Sequence, residues 1–196
     1  MSKRFNLINI VVGRRGSGKT FFTKMLFRIF LGRGMKVLIV DTFNHPSYNE
    51  GDEAYPSAVQ RVMPHQVPSW KKGIYRMYGH DFDTEMLPAL KDLRNTFIVF
   101  EDAKKYIRQH VQPELDSLLI DSKQKNIDMI FLYHSWGDVP PRLIKMADSI
   151  EVFRTADSPQ IRKNLISGIF VEAMKVYEKV KSSKKDWFHQ SIDMRN

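Results

Sequence analysis

Apolar and polar positions fall in alternating blocks along this chain, and the blocks change period in a regular order. The segment "FNLINIVV" (5–12) is a short, nearly continuous apolar run. After it, "TFFTKMLFRIFL" sets Phe21, Phe22, Met25, Leu26, Ile29 and Phe30 at the spacing of one helix face. "GRG" (32–34) stops that helix, and "MKVLIVD" reads as a second buried strand closing at Asp41. The next stretch, 42–73, is polar with four prolines, leaving room for little more than a short helix around 57–62. "IYRMYG" predicts a short strand, and "DTEMLPALKDLRN" a helix with Asp83 or Thr84 near its cap. "TFIVFEDA" is apolar until it closes on two carboxylates.

From there "KKYIRQHVQPELDSLLIDSKQKN" has a helical pattern with a break or kink at Pro113. "IDMIFLYHS" predicts a buried strand, "PPRLIKMA" a short helix opened by proline, and "DSIEVFRT" a last strand. "SPQIRKNLISGIFVEAMKVYEKVKSS" reads as one long helix, and "KKDWFHQSIDMRN" as a frayed or partner-bound tail. Apolar strands alternating with helices predict an α/β fold with a mainly parallel central sheet flanked by helices. The 196 residues suit a single domain, with a basic helix and tail over 175–196.

The bend between the first strand and helix carries the chemistry. "VVGRRGSGKTFF" (11–22) fits G-x-x-x-x-G-K-[ST] with Gly13, Gly18, Lys19 and Thr20 at its fixed positions. Glycines let successive backbone N–H groups turn inward around phosphate oxygens, and the helix N-terminus adds partial positive charge. Strand, glycine loop and helix are the context this motif requires. The expected nucleotide-binding set is Gly13, Arg14, Arg15, Gly16, Ser17, Gly18, Lys19, Thr20 and Phe21, with ATP as ligand. Lys19 would reach the β- and γ-phosphates, and Thr20 would hold Mg²⁺ through its hydroxyl. "FIVFED" supplies the acidic partner such a loop needs: Glu101 to help hold Mg²⁺, and Asp102 to polarise the attacking water. The plainer alternative makes Asp102 a helix cap.

Charge adds a partner. The chain carries a net +9, and its first 40 residues hold nine basic residues and no acidic one. A basic nucleotide-binding domain points to a polyanion, with nucleic acid the usual one. Arg28, Arg33, Lys36 and the helix lysines Lys175, Lys179, Lys181, Lys184 and Lys185 are the candidates for that path, and a solvated face is their bland reading. Trp136, Trp187 and Phe188 could stack on bases or simply cover a core. Asp41 could orient a water or a neighbouring subunit's group, or serve as a capping or solvated acid. The chain has no cysteine, so neither a disulfide framework nor a zinc-finger spacing is possible, which suits a cytosolic protein. It also lacks an apolar run of membrane-spanning length and the apolar core of a signal peptide, so a soluble protein is expected.

Taken together, "GRRGSGKT", "VLIVD", "FIVFEDA" and "NIDMIFLYHSWGDVPPRLIKMADSIEVFRT" resemble the HerA/FtsK superfamily of DNA-pumping ATPases. The likeness is greatest to its small members, the genome-packaging ATPases of membrane-containing viruses and the assembly ATPases related to filamentous phages. It covers about 6–155 and implies a RecA-like P-loop NTPase fold, a hexameric ring, DNA as cargo, and a virion or host-cytoplasm setting. It further implies a capsid or membrane-vertex protein as a possible partner. In this chain the second acidic motif reads Glu101-Asp102 where the family has Asp-Glu, and His134 takes the place of its polar sensor, often glutamine. The family's trans-acting arginine finger would fall near Lys123 or Lys125, with Arg108, Arg142, Arg154 and Arg162 as other candidates; lysine lacks arginine's planar, bidentate clamp. The rival classes are a small-molecule P-loop kinase and a nucleotide-gated assembly factor that does not hydrolyse ATP. The stretch 42–73 is poor in the arginines a kinase would use, and the acid pair argues for turnover. A GTPase would need N-K-x-D, which is absent.

Overall fold

The computed structural model describes residues 6–42, 48 and 59–195. Strands form where the apolar runs predict them: β1 (Ile8–Val12), β2 (Lys36–Val40), β4 (Ile74–Met77), β5 (Thr96–Phe100), β6 (Ile127–Tyr133) and β7 (Ser149–Val152). Two more appear, β3 (Gln60–Val62) and β8 (Gln190–Asp193). The sheet order is β3-β4-β2-β5-β6-β1-β7-β8. Pairs β3–β4, β2–β4, β2–β5 and β1–β7 are parallel, and β7–β8 is antiparallel. The helices are α1 (Lys19–Gly32), α2 (Leu87–Leu90), α3 (Pro113–Lys125), α4 (Pro141–Met146) and α5 (Phe170–Ser182). None is long and apolar enough to cross a membrane.

The chain divides into two compact units. One comprises Met1–Asn6, Thr20–Glu101 and Gln112–Met129; the other comprises Leu7–Lys19, Asp102–Val111 and Ile130–Asn196. In the first unit β2 and β5 are wholly or nearly buried, as expected of central parallel strands. Phe30 of α1 stacks on Phe97 of β5 at 4.0 Å, and Phe27 meets the same ring edge-on at 6.3 Å. In the second unit Ala173, Val176, Tyr177 and Val180 form the buried face of α5, while Ile150, Val152 and Ile192 are buried in β7 and β8.

Several expectations are corrected. The helix placed around 57–62 gives way, over Gln60–Val62, to a strand paired with β4, in which exposed Gln60 and Arg61 precede the buried Val62 at the sheet edge; Ser57 lies outside the described residues. The helix of 83–95 begins instead as a π-turn, Phe82–Met86, capped by Asp81, whose carboxylate accepts from the Thr84 N–H at 2.9 Å. Pro113 does not kink a helix but starts one, at the position where its missing N–H costs nothing. The long terminal helix is confined to α5, after short 3₁₀ turns at Pro159–Arg162 and Ser167–Ile169. The tail is not frayed over Gln190–Asp193: β8 pairs with β7 through Ile150–Ile192 and Val152–Gln190.

Candidate functional site

The glycine loop lies in the second unit and is anchored at both ends. Gly13 N–H donates to the Tyr133 carbonyl at 3.1 Å, and Arg14 N–H to the Arg154 carbonyl at 2.8 Å. Gly13 admits no side chain, since a Cβ there would lie 2.5 Å from Phe153 Cβ and 2.7 Å from Ser17 Oγ. Gly18 is required twice over: its φ is +97°, and a Cβ would lie 2.7 Å from Trp187 Cβ. Arg14, Arg15 and Gly16 are exposed at the loop surface.

Lys19 is 6% exposed and turned back onto its own loop. Its Nζ donates to the Gly13 carbonyl at 2.5 Å and the Arg14 carbonyl at 3.1 Å, and it lies 3.5 Å from His134 Nδ1. His134 Nε2 is in turn 2.8 Å from Asp102 Oδ1. A carboxylate can only accept, so Nε2–H of His134 donates to Asp102. Asp102 also pairs with Lys105 Nζ at 2.9 Å. The bond from His134, then that from Lys105, holds its carboxyl well below the usual carboxylate range, against the opposing pull of partial burial. Asp102 sits in the left-handed region (φ +48°) and makes no side-chain capping bond, so the capping alternative is not realised.

A second group lies in the first unit. Glu101 is 4% exposed and accepts from the Tyr48 hydroxyl at 2.5 Å. Lys24 is nearly as buried; desolvation lowers its ammonium pKa, and the Glu101 charge opposes that shift. Thr20 belongs to the same unit, while Lys19 and Asp102, the direct chain neighbours of Thr20 and Glu101, belong to the other. A buried carboxylate and a threonine hydroxyl suit Mg²⁺, which takes one or two protein oxygens and fills its shell with phosphate and water.

The finger candidates differ in exposure and in the bonds that three of them make to carbonyls of their own chain. Lys125 donates to the Lys91 carbonyl at 3.0 Å and pairs with Asp121. Arg154 donates to the Ser183 carbonyl at 2.5 Å. Arg162 Nε donates to the Trp136 carbonyl at 3.1 Å, and its Nη2 to the Gly137 carbonyl at 2.6 Å. Arg108, Lys123 and Arg142 are exposed.

Two earlier readings are narrowed. Asp41 is neither solvated nor a cap: it is 2% exposed and bonded to the buried Arg76 through Nε at 2.9 Å and through Nη2. Trp136 is 1% exposed, which removes it as a stacking platform. Its turn, Trp136–Asp138, is held by Asp157, whose carboxylate accepts from the N–H groups of Trp136 and Gly137 at 3.0 and 2.8 Å. Asp157 and Tyr48 are not legible as partners, because neither lies in a periodic or motif-bearing stretch, and Lys105 is not because a helical pattern does not name a side chain's partner. Trp187 was singled out, but nothing in its spacing announced the contact with Gly18.

The parallel sheet and the glycine loop closing onto α1 define the P-loop NTPase fold. Among solved structures, the chain is similar to the genome-packaging NTPase B204 of Sulfolobus turreted icosahedral virus 2 in complex with sulfate. The identity is 23%, the TM-score 0.74, and the match covers 96% of this chain and 92% of that one. The same protein with AMPPCP matches at 22% identity and TM-score 0.71, with the same coverage. The conjugation coupling protein TcpA of pCW3, in monomer form with ATPγS, is more distant, at 12% identity and TM-score 0.50 over 83% of this chain and 53% of that one. No protein-family model matches the chain, and no curated protein does.

Proposed function

We propose that this chain is an ATP-hydrolysing DNA translocase of the genome-packaging kind. The observation that carries the reading is the chain of contacts from the buried Lys19 through the half-exposed His134 to Asp102 behind a glycine loop. Lys19 donates to two loop carbonyls and lies beside His134, and a triphosphate would draw its charge more strongly than a carbonyl does. Arg15, Gly16, Gly18, Thr20 and Phe21 would supply loop and helix N–H groups to the phosphates, while Gly13, Arg14 and Ser17, whose N–H groups serve carbonyls, would shape the loop around them. Thr20 and Glu101 would hold Mg²⁺, which neutralises charge developing on the transferred phosphoryl. Asp102 stays ionised at neutral pH and can accept a hydrogen bond from the attacking water.

His134 gives this arrangement a means of reporting nucleotide state. When Lys19 turns to phosphate it gives up Nδ1 of His134, and the imidazole is freed to adjust its bond to Asp102. The change passes from residue 134 into the adjoining turn Trp136–Asp138, which Asp157 and Arg162 hold firmly. DNA as cargo and a ring of subunits, hexameric by the family likeness, are supported by the basic surface and by the similarity to packaging and coupling ATPases. A capsid or membrane-vertex protein would be the docking partner, in a virion or in host cytoplasm. The test is ATP turnover and particle size with and without DNA. Stimulation by DNA in an assembled particle is expected. Turnover indifferent to DNA, with phosphate passed to a small acceptor, would favour a kinase instead.

A further inference from the structure

We infer that Trp187 is the platform for the nucleobase of the bound nucleotide, which makes the C-terminal segment part of the nucleotide site. The inference rests on the reading of the glycine loop as a nucleotide site and adds the half of the ligand that the loop motif does not address. Four observations within the second unit converge on it. The side chain of Trp187 lies directly against Gly18, so closely that a methyl on that glycine would sit 2.7 Å from Trp187 Cβ and 2.8 Å from Cγ. The indole is nevertheless 58% exposed, beside a polar loop. Its backbone is in the left-handed region at φ +57°, a conformation a bulky residue adopts at a cost. Finally, a small cavity of about 40 Å³ lies between this segment and the loop, lined among others by Arg14, Ser17, Arg154, Lys185 and Trp187. Ser17 Oγ is buried and has no hydrogen-bond partner among the described residues.

These features suit one ligand chemistry: a flat aromatic ring carrying polar edge atoms, tethered to phosphates held by the same loop. The indole offers a face for stacking, Ser17 a hydroxyl for a ring or sugar atom, and Arg14 and Lys185 positive charge around the tether. Strand β8 explains how the segment is held in place, since its pairing with β7 begins at Gln190, three residues beyond Trp187.

The test is equilibrium binding of ATP and of inorganic tripolyphosphate, which has the phosphates but no base, to the full chain and to W187A and W187F. Trp187 is the exposed one of three tryptophans, with Trp70 and Trp136 at 5% and 1%, so ATP should change the intrinsic fluorescence and tripolyphosphate should change it less. W187A should weaken ATP binding about tenfold or more, the weight of one base–aromatic stack, while leaving tripolyphosphate binding within about twofold. W187F should keep most of the ATP affinity. Equal losses for both ligands, or no loss for ATP, would overturn the platform and leave the glycine-loop reading standing. A wild-type chain that binds neither ligand would overturn both.

Discussion

Lys19 is a buried cation turned onto the carbonyls of its own loop, and its burial is tolerable because polar atoms receive the charge. Replacing it with alanine should abolish nucleotide binding and turnover together, measured as loss of ATP affinity and of phosphate release. D102N should behave differently, keeping ATP binding and losing turnover by about 10²-fold or more, as for a lost acid–base group. If instead E101Q spares Mg²⁺-ATP binding and stops turnover while D102N weakens metal binding, the two carboxylates exchange roles. Asp102 also carries a pH signature. Its folded pKa is depressed, so the bonds to His134 and Lys105 add stability that is fully present above the unfolded carboxylate value, about 3.9. That stability drains away as pH falls below it. Urea unfolding at pH 7 and pH 3 should therefore show a larger acid-induced loss in the wild type than in D102N. Asp41 is the structural counterpart: with Arg76 1% exposed, D41A leaves a buried guanidinium without its carboxylate and should cost about 3 kcal/mol by the same measurement.

At the scale of elements, α1 departs from its own periodicity. The apolar stripe Phe21, Met25 and Ile29 is about half exposed at each position, while Thr23, Lys24, Phe27 and Phe30 are buried. The helix is turned so that Lys24 comes under the influence of Glu101 and Phe30 stacks on β5. Helical spacing marks which residues share a face but leaves open which face the sheet takes when the helix is apolar nearly all round. A similar distinction sorts the finger candidates. Arg162, Arg154 and Lys125 already serve carbonyls of their own chain, and withdrawing one would leave those acceptors unmet. The exposed side chains of Arg108, Lys123 and Arg142 are the ones expected to reach a neighbouring subunit. Alanine at the right one should lower turnover by about 10³-fold, and mixing that variant with K19A subunits should restore part of it. Mixtures that stay inactive at all three positions would count against shared active sites.

Across the whole molecule, the charge has two destinations. Arg14, Arg15 and Lys19 belong to the glycine loop and Lys185 lines the cavity beside it, whereas Arg28, Arg33 and the exposed α5 and tail lysines Lys175, Lys179, Lys181 and Lys184 do not. Lys36 is a weaker member of the second set, because it is partly buried against the Trp70 ring at 4.9 Å and burial lowers its pKa. A translocase gripping phosphates through the second set should bind DNA with an affinity that falls linearly with salt on logarithmic axes, and with little regard to sequence. Neutralising these positions in groups should shrink that slope and the DNA-stimulated turnover, while basal hydrolysis stays nearly unchanged. A flat salt response in the unmodified chain would sink the translocase reading.

The amino-acid sequence by itself determined the central strands, the glycine loop and the acid pair, because each depends on local order: a continuous apolar run, a bend only glycine can make, a carboxylate where a buried strand ends. It determined the kind of fold for the same reason, since apolar strands alternating with helices leave a parallel sheet as the way to bury both. Tertiary structure decided what depends on residues far apart in the chain. It gave His134 its place between Lys19 and Asp102, turned Asp41 toward Arg76, drew the tail into the sheet as β8, and laid Trp187 on Gly18. Those contacts join positions from 32 to 169 residues apart, and no local period or propensity encodes a partner at that distance.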